Sequence, residues 1–359
     1  MAILRKEVRQ LRRDHLTFGM VIGLPIVQML LFGYAINTDV RNLPTAIANQ
    51  AGTHLSRQFV AELEQTQVVD IIDYVDSPQQ LEDLLRQGKI SIGAHIPHDF
   101  DRRIVDTTRS AVQLLVDGSD PTILGVAMQL RMMPVSFDST KSVDRGPLPI
   151  EVRPYYNPER RTPVNIVPGL MGVILTMTMI LFTAVAIVRE RERGNLELLI
   201  NTPVSSAELM IGKVVPYILI GMIQLALILA VGRVLFDVPV RGSILDLYLA
   251  ATAFIAANLS LGLFLSTVAK TQFQAMQMTV FILLPSILLS GFMFPFEGMP
   301  QFAQWLGELL PNTHFIRLTR GIMLRDAGIG DLYGEIIFLI GFTIVAMTAA
   351  ALRFTKRLD

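Results

Sequence analysis

The chain has 359 residues, 51% of them hydrophobic, a mean hydropathy of +0.47 and only 17% charged residues, against about 25% in a typical soluble chain. Lys plus Arg and Asp plus Glu each number 31, which excludes a polybasic nucleic-acid binder and an acidic disordered tail. There is no cysteine, so disulfide frameworks, thiolate metal sites and cysteine nucleophiles are excluded together.

Crossing a hydrocarbon core takes about 20 apolar residues in a helix. Six stretches reach that length: Leu16–Ile36, Val164–Val188, Val214–Phe236, Ile244–Val268, Ala275–Phe294 and Leu332–Leu352. The expected fold is an α-helical polytopic membrane protein with six transmembrane helices. A basic flank (Arg5, Lys6, Arg9, Arg12, Arg13) precedes the first stretch, as in a signal peptide. The apolar run outlasts an h-region of roughly 7–15 residues, and no small-residue cleavage site follows Tyr34, so it reads as a retained anchor. Arg233, Asp246 and Glu335 fall near span ends, where long side chains reach the interface.

Residues 37–163 form a polar insertion with alternating periods, read as an α/β domain between the first and second spans. Strands are expected at Thr45–Ala48, Val68–Val75, Ile90–Ile96, Val112–Val116 and Ile150–Tyr155. Helices are expected at His54–Thr66, Pro78–Gln87, Asp99–Asp106 and Pro121–Met133. Ser77-Pro78 and Asp120-Pro121 each place an N-cap before a proline at the first helical position. His95 and His98 would offer a metal pair, but no third ligand is adjacent and a solvated loop accounts for them.

After the second span, residues 189–213 (RERERGNLELLINTPVSSAELMIGK) carry charges of alternating sign, a turn at Gly194 and a short helix from Leu196 that Thr202-Pro203 ends. Ser205 and Glu208 have capping-box spacing for the following helix. Such a charged, capped elbow suits docking of a partner as well as it suits a plain solvated turn. Between the fifth and sixth spans, in residues 295–330, Phe302, Trp305, Leu306, Leu309 and Leu310 form an apolar stripe on one helical face. Pro311 stops that helix, and a second over His314–Arg325 carries Arg317 and Arg320. The pair reads as an interfacial or re-entrant helical hairpin before the sixth span. The alternative is two surface helices packed on the outer domain.

Orientation follows from lysine and arginine in the short flanks. With the N-terminus inside, the cytoplasmic side gathers Arg5, Lys6, Arg9, Arg12, Arg13, Arg189, Arg191, Arg193, Lys213, Lys270, Arg353, Lys356 and Arg357. The opposite short loops hold only Arg241, Arg317, Arg320 and Arg325. Both termini are expected in the cytoplasm and the insertion outside it.

The elbow sequence resembles the signature loop of ABC type 2 transporter permeases, especially bacterial drug-exporter subunits with a large outer domain. The start of the chain (ILRKEVRQLRRD, then LPIVQMLLFGYA), VDGSDP at Val116–Pro121, and SGFMFPFEGMPQFAQWLGELLPNTHFIRLTRGIML at Ser290–Leu324 match the same family in order. Asn195 and His314 depart from it, standing where threonine and an aromatic such as tyrosine are usual.

The resemblance implies a dimeric, non-catalytic permease subunit of the bacterial inner membrane, served by cytoplasmic ABC ATPase subunits and a second permease chain. A periplasmic membrane-fusion adaptor and an outer-membrane channel are further candidate partners. No cofactor is expected in this chain. ATP and Mg are expected on the ATPase, because neither Gly-Lys pair, Gly88-Lys89 or Gly212-Lys213, sits in a GxxxxGK[ST] loop. The resemblance assigns ATPase coupling to Glu190, Arg191, Glu192, Gly194, Leu196, Glu197, Thr202 and Pro203. It gives residues 1–15 to an interface helix, where Leu4, Val8 and Leu11 lie on the membrane surface and leave Arg5, Arg9, Arg12 and Arg13 for headgroups or the partner. The domain reading is then 1–15, the first span 16–36, the α/β domain 37–163, and a five-helix bundle 164–359 with the coupling loop and the outer hairpin.

Span interiors offer amides and soft side chains instead of mid-span acids, which disfavours an ion-driven transporter. Gln28, Met177, Gln224, Asn258 and Gln277 form a candidate path for drugs or other amphiphiles. Alternatives are export of sodium, lipid or an envelope component within the family. A membrane sensor with an extracytoplasmic ligand domain would explain the insertion, but not the further spans or the elbow.

Overall fold

The computed structural model describes residues 41–106, 108–131, 150–193 and 206–353, without side chains at Pro121 and over residues 206–213. The interface helix with Arg5, Arg9, Arg12 and Arg13, the first apolar stretch with Gln28, and Gly194, Leu196, Glu197, Thr202 and Pro203 of the elbow lie outside the described residues.

The α/β unit contains β1 (Leu43–Asn49), α1 (His54–Gln65), β2 (Val69–Tyr74), α2 (Pro78–Arg86), β3 (Ile92–Ile96), α3 (Phe100–Val105), β4 (Val112–Asp117), α4 (Pro121–Leu130) and β5 (Ile150–Tyr155). Its sheet order is β2-β1-β3-β4-β5, parallel except for the β3–β4 pair. Phe59, Leu63, Phe100 and Ile123, from α1, α3 and α4, bury one face together with Ile47, Ile92 and Leu114. On the other face Leu81 and Leu85 of α2 cover Ala46, Ala48 and Leu115. The expected caps are present: Ser77 accepts from the Gln80 amide at 3.4 Å and Asp120 from the Thr122 amide at 2.9 Å. His95 is held by Gln113 and Gln50, and His98 by the Gln50 carbonyl. No cluster of three or more metal-ligating residues occurs among the described residues.

Five described helices are long and apolar enough to cross a membrane. They are α5 (Thr162–Glu192), α6 (Ser206–Phe236), α7 (Ile244–Val268), α8 (Gln272–Leu289) and the last, α11 (Tyr333–Arg353). Before α11 come α9 (Gln301–Glu308), α10 (Pro311–Arg325) and a 3₁₀ turn at Ile329–Asp331. The stretch expected at Ala275–Phe294 stops five residues early: the helix ends at Leu289, and Gly291 takes φ +77°, a left-handed conformation open to glycine and strained for other residues. The stretch from Val164 instead continues to Glu192, carrying Glu190 and Arg191 as helical residues.

α7 is the central helix, packed against α5, α6, α10 and α11. Its Gly262 permits a close approach to α5, since a Cβ there would lie 2.8 Å from the Ile180 carbonyl oxygen. Phe254 of α7 stacks flat on Phe315 of α10, with ring centroids 4.0 Å apart. The hairpin helices behave differently from each other. α10 is buried along almost its whole length among α5, α7 and α11. α9 turns Phe302, Trp305, Leu306 and Leu309 outward, so the predicted apolar stripe is exposed.

Candidate functional site

At the bundle end remote from the sheet, the last turn of α5 is tied to the turn between α7 and α8. Arg191 Nη1 donates to the Ser266 and Ala269 carbonyls at 3.0 and 3.1 Å, satisfying oxygens left open at the α7 C-terminus. Glu192 accepts from the Gln272 backbone amide at 2.9 Å and from its side-chain amide. Glu190 is half-buried beside them. Arg189 lines a largely apolar cavity of about 370 Å³ with Phe182, Val185, Tyr217 and Met276. These charges therefore connect three helices within the chain, which a reading of residues 189–193 as a flank of alternating sign did not anticipate.

The residues read as a transport path are spread over four described helices. Met177 of α5 is exposed, and Gln224 of α6 accepts from the Thr178 hydroxyl at 2.8 Å. Asn258 of α7 is buried and donates its amide to the Phe254 carbonyl of its own helix at 2.9 Å. Gln277 of α8 keeps a buried side-chain oxygen without a partner, as does the Thr176 hydroxyl of α5.

The densest polar cluster lies where the α/β unit meets the bundle. Asp117 ends β4 and Asp120 caps α4. Each uses one carboxylate oxygen on its own loop, accepting from the Ser119 and Thr122 amides at 2.9 Å. The second oxygen receives an arginine of α10: Arg325 to Asp117 at 3.3 Å and Arg320 to Asp120 at 3.1 Å. Arg86 of α2 adds a pair to Asp331 at 3.0 Å. On the bundle side, Arg317 pairs with Glu308 and Glu335, and His314 bonds the Glu335 carboxylate while stacking on Phe338. Glu335, in the first turn of α11 and so near the span end as expected, is paired there with His314 and Arg317 of α10.

A cavity of about 150 Å³ lies among Asp117, Asp120, Arg317, Arg320, Arg325 and Glu335. Glu297 also lines it, and burial, with Asp120 adding repulsion, pushes the Glu297 carboxyl above the usual carboxylate range. VDGSDP and the helix of Arg317 and Arg320 are each visible in the sequence, but their pairing is not. Nothing in local spacing pairs residues 200 and 208 positions apart.

A family profile described as ABC-2 family transporter protein matches residues 16–352. The chain belongs to the ABC-2 transporter family. The probable multidrug ABC transporter permease YbhS of Escherichia coli is 28% identical over 368 residues, covering 100% of this chain and 97% of its own. YbhR of the same organism, also described as a probable multidrug ABC transporter permease, is 27% identical, covering 99% and 98%. Its inner membrane transport permease YhhJ is 28% identical, covering 98% and 95%. This ABC-2 chain is a permease subunit, with ATP hydrolysis residing in separate partner subunits.

Proposed function

We propose that this permease exports drugs or other amphiphiles across the bacterial inner membrane; support comes from YbhS and YbhR, described as probable multidrug ABC transporter permeases, and YhhJ, described as an inner membrane transport permease. The full reading is six spans, both termini in the cytoplasm, the α/β unit and hairpin outside, and a dimer of permease chains with two ATPase copies that bind ATP and Mg. The observation that carries it is the tie from Arg191 and Glu192 to the α7–α8 turn. It gives a push on the elbow a stiff route into three helices at once. On this reading Glu190, Gly194, Leu196, Glu197, Thr202 and Pro203 meet the ATPase, and the arginines of residues 1–15 flank that contact. Thr176, with an unpartnered hydroxyl, joins Gln28, Met177, Gln224, Asn258 and Gln277 as a candidate to face substrate. A membrane-fusion adaptor and an outer-membrane channel would complete the path.

Copurification from native membranes tests the subunit assignment: an ABC ATPase should accompany the chain. Glu197→Lys should leave abundance unchanged, because exposed pairs contribute about 0–1 kcal/mol to folding. The same change should abolish export, because charge pairs at an interface are worth roughly 1.5–7 kcal/mol. Full export by both Glu197→Lys and Gly194→Pro at normal abundance would reduce the elbow to an ordinary turn.

A further inference from the structure

We propose that Arg320 and Arg325 are positioning residues for transport, holding the α/β unit as a rigid extension of the hairpin and α11 that moves with them through the cycle. The proposal rests on the permease reading for its functional consequence and on the junction geometry for its mechanism. Both arginines project from α10, which is itself enclosed by α5, α7 and α11. Both acceptors are fixed parts of the sheet unit, because the oxygen of each carboxylate that does not face the arginine, Oδ1, closes its own loop. Neither partner can follow the other by simple side-chain rotation.

The exposures decide between a sliding contact and a fixed one. Side chains of the Arg325–Asp117 pair are 9% and 8% exposed, and those of Arg320–Asp120 are 13% and 12%. Separating a buried pair leaves two uncompensated charges, which is strongly unfavourable, whereas separating an exposed pair costs little. Packing reinforces the electrostatics. Gly88, at φ +70°, lies directly under the Arg325 guanidinium, and a Cβ there would come within 2.6 Å of Nη1. The Arg86–Asp331 pair and the Arg241 bond to the Tyr156 carbonyl at 3.1 Å close the junction at two more points. These elements thus meet in one polar seam, in which Arg320 and Arg325 are each held through Nη1 while their Nε atoms stay buried without a partner. A shift of the hairpin when the bundle opens is carried to the sheet unit without loss.

The chain has no cysteine, so paired labels are clean. Tyr74 on β2 and Tyr333 at the start of α11 are both exposed and lie on opposite sides of the seam. Nitroxides at Tyr74→Cys and Tyr333→Cys, in the full chain with a cysteine-free ATPase partner, should report one narrow distance. That distance should be the same in nucleotide-free and vanadate-trapped complexes. Asp117→Asn with Asp120→Asn keeps the oxygens that close the two loops but removes the charges. It should lower abundance, broaden the distance and abolish ethidium efflux counted per folded complex, while ATP hydrolysis by that complex persists. A distance that shifts between nucleotide states overturns the rigid junction, as does ethidium efflux that survives in the double variant. Absence of any associated ATPase would instead sink the permease reading. The junction is still tested then in the purified chain, where a broad wild-type distance would overturn it.

Discussion

Arg191 illustrates how much one planar side chain can hold together. A single Nη1 reaches two carbonyls at the α7 C-terminus, and hydrogen bonds to a charged group are worth about 1.5–3 kcal/mol. Arg191→Met should therefore lower thermal stability in detergent by that order and leave ATP hydrolysis insensitive to substrate. Retained substrate stimulation would show that coupling bypasses this tie. Glu297 predicts a pH effect whose sign follows from burial. A raised carboxyl is neutral in the folded protein over a range where the unfolded chain has already ionised, so its contribution is fully present below the ordinary glutamate value of about 4.3 and lost as pH rises through the raised one. Melting temperatures measured upward from about pH 4 should decline less steeply in Glu297→Gln than in the parent chain. Identical profiles would place this carboxyl in bulk water.

Helix by helix, two contrasts matter. α5 and α7 approach closely because Gly262 has no side chain, and added volume in a packed interface typically costs about 1–3 kcal/mol. Gly262→Leu should accordingly cut folded yield after membrane extraction, whereas Gly341→Ala, with nothing within 4 Å of the new Cβ, should not. α9 presents the only tryptophan of the chain, Trp305, outward at 66% exposure with Phe302, Leu306 and Leu309. Indole rings favour the membrane boundary. Lipids brominated near the headgroup should quench its fluorescence more than lipids brominated at the acyl terminus, and equal weak quenching would place the stripe against protein. The stripe was legible as an i, i+3, i+4, i+7 pattern. The burial of the neighbouring α10 was not, because Arg317, Arg320 and Arg325 make it look like a surface helix until their acids are known.

For the whole molecule, exposed apolar faces on α6 and α11 set the expectation. Leu219, Ile223, Leu227 and Val234 of α6, and Ile337, Ile344 and Val345 of α11, are exposed among the described residues. Lipid and a second permease subunit are the coverings such faces need. Cysteines introduced singly along these two helices should yield permease–permease crosslinks on one of them in native membranes, and none on either would contradict a dimer meeting along the described spans.

Sequence by itself determined what depends on neighbours a few residues apart. The apolar lengths gave the five described spans, period-two and helical patterns gave the order of the α/β unit, and Ser77-Pro78 and Asp120-Pro121 marked helix starts that the structure caps as expected. Family membership was legible too, through the elbow and the VDGSDP segment. Tertiary structure alone decided which charges are structural. Arg191 could have been a flank charge and Arg325 a loop charge, and only packing brings them to Ser266 and to Asp117. The reason is physical: helix and strand periods are short-range properties of the chain, whereas a buried ion pair is stabilised by geometry and desolvation that exist only once distant segments have met.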